Sequence, residues 1–409
     1  MQPETDWVQP CPPTRPHLQV RVDLTAIRHN VTAIRSRVAP AAVMAVVKGD
    51  AYGHGLVPAA RAARAGGAAW LGTAVLAEAL ALRTAGDTGR ILAWLAAPGA
   101  DWAAALAAGV DVGVSSAAQL GEVAAAARSV ATLARVHLKA DTGMGRNGAA
   151  VWDGGWAALV RAAADAADAV EVVGAFTHLA CADEPGSPVT DGQLSAFTAA
   201  VADARAAGLR PSLLHAANSA AALTDSRTHL DVVRVGLAVY GLSPVPAESG
   251  PAGFGLRPAM RYAARLAAVK AVPAGQGVSY GLTWHAAAPT TLGLVPAGYA
   301  DGIPRALSNR GTVGVAGVRR PVVGRVCMDQ FVVDLGPDSA AAPGDEVVLI
   351  GDGVDGPTAQ EQAEAADSIS WEIVTRIPSR LGRLFVAGGP AAAAAELAAG
   401  GVGRTGDQR

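Results

Sequence analysis

Short apolar runs recur between residues 43 and 240, and alanine-rich segments of helix length separate them. The eight runs are Val43–Val47, Trp70–Val75, Ile91–Leu95, Val110–Val114, Ala134–Leu138, Val172–Thr177, Ser212–Leu214 and Val232–Tyr240. Strands that alternate with helices are typical of βαβ units and a parallel sheet. Eight such units predict an α/β fold of the (β/α)8 barrel type. A doubly wound open sheet is the alternative that repetition leaves open.

The pattern changes after Gly241, where glycines and prolines mark a linker. Beyond it, apolar runs predict a second, mostly β domain: Leu266–Val272, Thr291–Val295, Thr312–Val315, Pro321–Asp334 and Glu346–Ile350. A helix is predicted near residues 358–366. We therefore divide the chain into a flexible leader (1–16), a barrel (17–248), a C-terminal β domain (249–388) and a flexible tail (389–409).

Composition narrows the function classes. The chain has 409 residues, of which 51% are hydrophobic, enough for a large core. A formal net charge of -2 gives no basic excess to favour nucleic acid. The three cysteines, Cys11, Cys181 and Cys327, have neither disulfide nor metal-ligand spacing, so we expect no metal and a cytoplasmic location. No apolar run is long enough to predict a membrane partner.

Polar side chains follow the predicted barrel strands where those strands end. They are Lys48, Ser115, Lys139, Asp141, His178, His215, Asn218 and Ser219. In a barrel of this type, catalytic groups lie at the carboxyl ends of the strands. Because the series is in phase with the strand ends, folding alone does not explain it. The sequence therefore predicts an active site at that end of the barrel.

Two glycine-rich segments carry a cationic side chain. Lys48 precedes the segment Gly49–Gly55, and a lysine there could form a Schiff base with an aldehyde cofactor. The alternative is a surface lysine whose stem lies along the strand. Arg146 lies within Gly143–Gly148, where glycines let the backbone approach a ligand while the guanidinium binds a carboxylate. A solvated arginine in an ordinary turn is the alternative.

Three further positions carry potential chemistry. Arg234 lies inside an apolar strand, where its charge should have a partner. The segment His215–Ala220 fits a helix start capped by Asn218 or Ser219, and such a start also favours phosphate. Tyr280, in the β domain, has an ordinary pKa near 10, so a role as a base requires a cationic neighbour. A tyrosine packed in a turn is the alternative.

Taken in order, these segments resemble the alanine racemase family. The matching segments are Val46–Gly55, His137–Gly148, Thr177–Asp183, His215–Ala220, Arg234–Gly241, Ser279–Gly281, Pro296–Gly302 and Gly324–Gln330. The resemblance covers about residues 22–386. It implies an N-terminal (β/α)8 barrel, a C-terminal β domain, a pyridoxal 5'-phosphate cofactor and a homodimer with shared active sites. It further implies interconversion of L- and D-alanine, which supplies D-alanine for peptidoglycan.

The resemblance also implies roles for single residues. Lys48 and Tyr280 would be the two catalytic bases, with Tyr280 reaching the active site of the partner subunit. Two bases on opposite faces remove a proton and return one directly. The implied cofactor-binding residues are Lys48, Tyr52, His178, Ser219, Arg234, Gly236 and Leu237, with His215 bracing the arginine. Arg146 and Met328 would bind the substrate carboxylate, Lys139 would be carbamylated, and the access channel would include Asp183, Tyr299, Arg305 and Arg325.

The chain departs from the family pattern at Trp371. Family members usually have a tyrosine at this position, and its hydroxyl contacts the cofactor phosphate. Gly49-Asp50 and Ser379–Arg383 are further departures. Trp371 leaves a serine or broader small-amino-acid racemase open. A non-catalytic cofactor-binding barrel is a second alternative, against which Tyr280 and Met328 argue. A decarboxylase of basic amino acids is a third, but its cysteine motif is missing.

Overall fold

The computed structural model describes residues 17–246 and 248–387, so the predicted leader and tail lie outside the described residues. The chain forms two compact units. Of the described residues, the barrel unit comprises 22–246, 248–260, 370–376 and 385–387. The sheet unit comprises residues 17–21, 261–369 and 377–384.

Ten strands lie between residues 17 and 236. They are β1 (Leu18–Asp23), β2 (Ala42–Val46), β3 (Trp70–Thr73), β4 (Arg90–Ala93), β5 (Asp111–Val114), β6 (Ala134–Asp141), β7 (Ala149–Ala150), β8 (Val170–Phe176), β9 (Leu213–His215) and β10 (Val232–Val235). Eight of them are parallel in the spatial order β10-β2-β3-β4-β5-β6-β8-β9, and β7 pairs with β6. Backbone amides of Asp231 and Arg234 donate to Leu214 and Ala217, which joins β10 to β9. This nearly closed barrel confirms the fold prediction and excludes the open sheet.

Helices follow the barrel strands as predicted. They are α1 (Leu24–Val38), α2 (Lys48–Gly53), α3 (Leu56–Ala65), α4 (Leu76–Thr84), α5 (Trp102–Ala107), α6 (Ala117–Ser129), α7 (Gly155–Asp165), α8 (Pro188–Ala206) and α9 (Ser219–Thr224). In α6 the buried residues are Leu120, Val123, Ala124 and Ala127, which have the spacing of one helical face. Ser116 caps this helix by accepting from the Gln119 amide at 3.2 Å. The alanine-rich segments are therefore helices that bury one face each.

The last predicted barrel run is shorter than expected. Only Val232–Val235 forms a strand, and Leu237–Tyr240 continues as a buried 3-10 turn. Gly236 lies between them with φ -108 and ψ -83, which ends the extended conformation. The apolar run is continuous because both segments are buried, so hydrophobicity alone does not reveal the turn.

The sheet unit holds most of the remaining strands. They are β11 (Met260–Arg265), β12 (Ala268–Val272), β13 (Gly277–Val278), β14 (Trp284–His285), β15 (Thr290–Val295), β16 (Thr312–Val315), β17 (Val318–Val323), β18 (Phe331–Gly336), β19 (Glu346–Ile350) and β20 (Leu384–Val386). The main sheet has the order β12-β15-β18-β17-β16-β19-β11-β1-β20, and β13 pairs with β14. The helices are α10 (Ala359–Ala366), capped by Thr358, and α11 (Ser370–Thr375), which belongs to the barrel unit. The prediction of a mostly β second domain is confirmed.

Two details of that prediction were wrong. The run Pro321–Asp334 is two strands, and the polar segment between Val323 and Phe331 is irregular rather than part of a strand. Gly324 begins this segment with φ +75, a left-handed conformation that ends the strand. The run Leu266–Val272 forms a strand only from Ala268. Among the described residues, no helix combines the length and apolar character needed to cross a membrane.

Candidate active site

The barrel unit encloses a cavity of about 500 Å³, within the range typical of small-molecule sites. Its lining includes most of the barrel residues that the sequence singles out: Lys48, Tyr52, Lys139, Arg146, His178, Asp183, Ser219, Arg234, Gly236, Leu237 and Trp371. The strands β2, β6, β8 and β10 supply or precede several of these side chains. The arrangement therefore brings four cationic side chains, a tyrosine and a serine around one space.

Lys48 begins a left-handed turn, a conformation that L-residues disfavour. Gly49, Asp50, Ala51 and Tyr52 all have φ between 54 and 62 and ψ between 38 and 49, which is left-handed helix. Each non-glycine residue in this conformation costs about 1–2 kcal/mol. The segment after Lys48 is therefore strained, and tertiary contacts must hold it in place.

Two carboxylates hold this left-handed turn. The carboxylate of Glu78 accepts the amide hydrogen of Gly49 at 2.6 Å, and its other oxygen accepts from Ala74 at 3.2 Å. The carboxylate of Asp50 accepts from the Leu56 amide at 2.7 Å, which joins the turn to α3. Charged acceptors make stronger hydrogen bonds than neutral ones, so they offset part of the backbone strain. Sequence reasoning missed Glu78, whose place in the alanine-rich α4 gives no signal.

The cavity lowers the basicity of Lys48. Desolvation and then the positive charges of Arg146 and Arg234 lower the pKa of its amine, while the negative charge of Glu78 opposes the shift. Only the unprotonated amine can attack an aldehyde carbon. The surroundings of Lys48 therefore favour the nucleophilic form.

Arg234 has neutral partners rather than a counter-ion. Its guanidinium donates to Nδ1 of His215 and Nδ1 of His178, both at 3.1 Å, and to the carbonyl oxygens of Thr177 at 2.7 Å and Ala216 at 3.0 Å. Because a guanidinium only donates, both Nδ1 atoms must accept, so neither ring is protonated there. Burial lowers the pKa of both histidines well below the ordinary value. Burial also lowers the pKa of Arg234 to about 9, which leaves it charged at neutral pH.

Tyr52, Ser219 and Gly236 come together at another wall. A side chain on Gly236 would lie 2.1 Å from the Tyr52 hydroxyl oxygen, so glycine is what permits this approach. The Gly236 amide donates to the Ser219 hydroxyl at 3.0 Å. Burial raises the pKa of Tyr52, so its phenol stays protonated and can donate. Asn218, not Ser219, caps α9, accepting from Ala221 at 3.0 Å, which leaves the serine hydroxyl facing the cavity wall.

Lys139 and Arg146 belong to one strand and the loop after it. Desolvation, followed by the charges of Arg234 and Arg146, lowers the pKa of Lys139 to about 8. The carboxylate of Asp141 accepts four consecutive amides, from Gly143 to Arg146, at 2.9 to 3.2 Å. Asp141 therefore shapes the glycine-rich loop that carries Arg146.

Other lining residues were not predicted. They are Val46, Trp94, Met144, Phe176, Leu179, Ala180, Ala220, Pro244 and Thr375. Gln193, buried in α8, donates to the His178 carbonyl at 3.0 Å and accepts from the Ala180 amide at 2.8 Å. It thereby fixes the backbone on both sides of Leu179. Nothing in the sequence points to Gln193, because a single glutamine in a long helix is usually on the surface.

The remaining predicted residues lie in the sheet unit: Tyr280, Tyr299, Arg305, Arg325 and Met328. The Ser279 hydroxyl donates to the Arg325 carbonyl at 2.7 Å. The amide of Ala300 donates to the Met328 carbonyl at 3.0 Å. Tyr280, Tyr299 and Met328 have exposed side chains. Within the sheet unit, the first of these bonds links the residue before Tyr280 to the segment that carries Met328.

Comparison with known proteins places these features in one family. The sequence matches the families described as alanine racemase, N-terminal domain, over residues 22–244 and alanine racemase, C-terminal domain, over residues 259–385. It is 56% identical to the alanine racemase of Salinispora arenicola over 364 residues, 88% of this chain and 96% of that relative.

A second relative is the alanine racemase of Frankia casuarinae, 53% identical over 368 residues, which is 89% of this chain and 95% of the relative. The fold matches the crystal structure of alanine racemase from D-cycloserine-producing Streptomyces lavendulae with a TM-score of 0.89 at 53% identity. That match covers 93% of this chain and 99% of the other. The chain belongs to the alanine racemase family.

Proposed function

We propose that the protein interconverts L- and D-alanine with pyridoxal 5'-phosphate and a pair of bases, Lys48 and Tyr280. The observation that carries this proposal is the barrel cavity, in which a lysine of lowered pKa and a buried arginine bound by neutral histidines face the same space. The D-alanine would enter peptidoglycan synthesis. The cytoplasmic location expected from the cysteines remains a prediction.

The residues of the cavity fit the cofactor. A phosphate needs hydrogen-bond donors, and Tyr52, Ser219 and the amides of Gly236 and Leu237 would supply them at one wall, the Gly236 amide by exchanging its hydrogen bond to the Ser219 hydroxyl for one to the phosphate. An aldehyde needs an unprotonated amine, which the lowered pKa of Lys48 favours. Trp371 also lines the cavity, so its indole N–H would have to take the place of the usual tyrosine hydroxyl as a donor toward phosphate.

Arg234 and His178 would flank the ring of the cofactor. When bound, pyridoxal phosphate delocalises the negative charge that develops at the substrate α-carbon. Arg234 is held as a cation by acceptors only, so its charge disfavours a second positive charge on the ring nitrogen. This limits proton return to the wrong carbon and keeps the reaction a racemisation.

Two bases would move the proton. Lys48 takes a proton from the α-carbon on one face, and the partner subunit's Tyr280 returns one on the other face; the roles reverse for the opposite enantiomer. Arg146 and the Met328 backbone would hold the substrate carboxylate. The access channel would include Asp183, Tyr299, Arg305 and Arg325.

We infer that Lys139 is carbamylated. Its nitrogen adds to the carbon of CO₂ and releases a proton, which requires the neutral amine that a pKa of about 8 makes available. The carbamate would convert a positive charge into a negative one beside Arg146. Two cations near each other would thereby become an ion pair.

We also infer a homodimer. Tyr280 is 73% exposed and Met328 54% exposed, although both are assigned here to the active site. Leu282, in the turn that contains Tyr280, is also exposed. A cluster of exposed apolar side chains is typical of a protein interface. A second copy of the chain would cover this surface and receive Tyr280.

The test of the proposal is racemisation of L-alanine and L-serine, side by side, by purified protein supplied with pyridoxal phosphate and followed by chiral chromatography. Faster conversion of alanine supports the proposal. Preference for serine would change the substrate assignment but not the mechanism. The Trp371→Tyr variant would then show whether the indole causes that preference. Turnover of neither substrate, with the cofactor bound, would favour a non-catalytic binding protein.

The base assignment has its own test. Tyr280→Phe removes the phenolic proton carrier and keeps the ring, so exchange of the α-proton with deuterated solvent should fall at least about tenfold more from one enantiomer than from the other. Mixing Tyr280→Phe with Lys48→Ala protein tests the dimer, because one of the two sites in a mixed dimer would regain both bases. Equal loss from both enantiomers, or no recovery on mixing, would contradict these assignments.

A further inference from the structure

A chain of buried hydrogen bonds runs from Arg234 through the interior of the barrel to Asp111. Arg234 contacts Nδ1 of His215 at 3.1 Å, and Nε2 of His215 lies 2.9 Å from Nδ1 of His137. Nε2 of His137 lies 3.4 Å from the carboxylate of Asp111. All four side chains are buried. Asp111 is the first residue of β5, so the hydrogen-bond chain ends at the amino ends of the barrel strands, whereas the cavity lies at their carboxyl ends.

The direction of every bond in this chain is fixed by chemistry. Arg234 only donates, so Nδ1 of His215 accepts and its hydrogen is on Nε2. That hydrogen points to Nδ1 of His137, which must accept, so the hydrogen of His137 is also on Nε2. The carboxylate of Asp111 accepts it. Both rings are therefore neutral Nε2–H tautomers, consistent with burial lowering the pKa of both.

The distal end of the chain is anchored by charge and packing. The carboxylate of Asp111 forms ion pairs with Arg90 and Arg135, both at 3.2 Å. Trp70 packs edge-on against the His137 ring, with centroids 5.5 Å apart. A side chain on Gly174 would lie 2.2 Å from Nδ1 of His137, so the glycine makes room for the ring. The histidine can neither withdraw nor rotate without loss of a contact.

We propose that Asp111 and His137 are positioning residues that set the tautomer of His215 and so hold Arg234 as a fixed donor toward the cavity. The role rests on the proposed function, because Arg234 matters only if it faces the cofactor ring. By holding Arg234, the two residues would raise the fraction of turnovers that end in racemisation. In the competing outcome the amino group and two electrons stay with the cofactor, and the substrate leaves oxidised as its 2-oxo acid, whose carbonyl oxygen comes from water.

Neither Asp111 nor His137 lines the cavity, so no direct contact explains such an effect. Without His137, the Nε2–H of His215 would be buried with no acceptor, which penalises the required tautomer. The ring could then rotate or exchange its hydrogen to Nδ1, where it would oppose a donor of Arg234. If Arg234 were held less firmly, protonation of the cofactor's ring nitrogen would become easier.

The first measurement is nitrogen NMR of protein with ¹⁵N-labelled histidine, without added cofactor. The protein has 8 histidines. Replacing them one at a time identifies the NMR signal of each ring. We expect both His137 and His215 to be Nε2–H tautomers, and the His215 signal to become a mixture in His137→Leu. His137→Gln, which keeps one acceptor and one donor, should restore the tautomer in part. Nδ1–H in wild-type His215 would overturn the proposal whatever the enzyme's substrate.

The second measurement is the ratio of racemised substrate to 2-oxo acid formed. In a folded His137→Leu variant this ratio should fall about tenfold, and Asp111→Asn should lower it less, because the amide oxygen still accepts from His137. The matched control is His29→Gln, because His29 lies outside both the cavity lining and the hydrogen-bond chain. A folded His137→Leu protein with an unchanged ratio would show that the chain serves stability alone. Absence of racemisation in the wild type would instead refute the proposed function and leave the NMR result standing.

Discussion

Replacement of Gly174 by alanine adds one methyl group against the His137 ring. The added carbon would lie 2.2 Å from Nδ1, 2.7 Å from Cε1 and 2.9 Å from Cγ, whereas ordinary contacts are about 3.5–4.0 Å. Gly174 does not have a positive φ, so alanine fits its backbone and the effect isolates the steric clash. The ring must therefore move, although it is buried and packed against Trp70.

The magnitude follows from two losses. Overpacking of a buried site costs about 1–3 kcal/mol. Displacement of the ring also breaks the His137–His215 hydrogen bond, worth about 1 kcal/mol. We expect the free energy of unfolding of Gly174→Ala to fall by about 2–4 kcal/mol. Urea unfolding followed by tryptophan fluorescence measures this change.

A matched glycine provides the control. Gly121 is exposed in α6, and a side chain there would meet nothing within 4 Å. Gly121→Ala should raise stability by about 0.5–1 kcal/mol, because alanine favours helix. A Gly174→Ala protein within about 0.5 kcal/mol of wild type would refute the reasoning, since the barrel would then accommodate the methyl group without cost. Equal destabilisation by both substitutions would show that the method does not resolve the clash.

Two further predictions concern the cavity. The amine of Lys139 has a pKa of about 8, so its carbamate should increase as pH rises through 8 in ¹³C-bicarbonate; carbon NMR should show a signal that Lys139→Arg lacks, and a signal that does not grow with pH would contradict the lowered pKa. Glu78→Gln should loosen the left-handed turn and cost about 1 kcal/mol, because an amide donor replaces one charged acceptor. The same substitution should lower the pKa of Lys48 further, as lysine NMR of the protein without cofactor can measure; a raised pKa would reverse the assigned sign.

The strand positions could be predicted because each barrel strand is a short apolar run between alanine-rich helices. One boundary error has a simple physical cause: a buried turn is as apolar as a strand. The 3-10 turn Leu237–Tyr240 is fully buried, and hydrophobicity joins it to β10. The segment between Val323 and Phe331 is a different case, because it is polar: it was joined to its neighbours because apolar runs flank it on both sides, although Gly324 marks the break.

The cavity residues could be predicted where they end a predicted strand, as Lys48 and Lys139 do, or where they carry a charge inside one, as Arg234 does; all three line the cavity. Glu78, which acts through the backbone of the turn after Lys48, could not be predicted. Glu78 is an ordinary helix residue until the left-handed turn brings backbone amides to it. Asp111 could have been identified by the reasoning used for Arg234. It too carries a charge within an apolar strand, and such a charge needs a partner.

The left-handed turn after Lys48 has a consequence for synthesis and design. Its φ and ψ angles are those that D-residues prefer, so a protein made by chemical ligation with D-alanine at position 51 would have that residue in its relaxed helical sense. A peptide of the natural sequence has the opposite preference and would not form this turn alone. The reactive lysine therefore cannot be transplanted by grafting its loop onto another scaffold, because the acceptors that impose the backbone, among them Glu78, lie elsewhere in the chain.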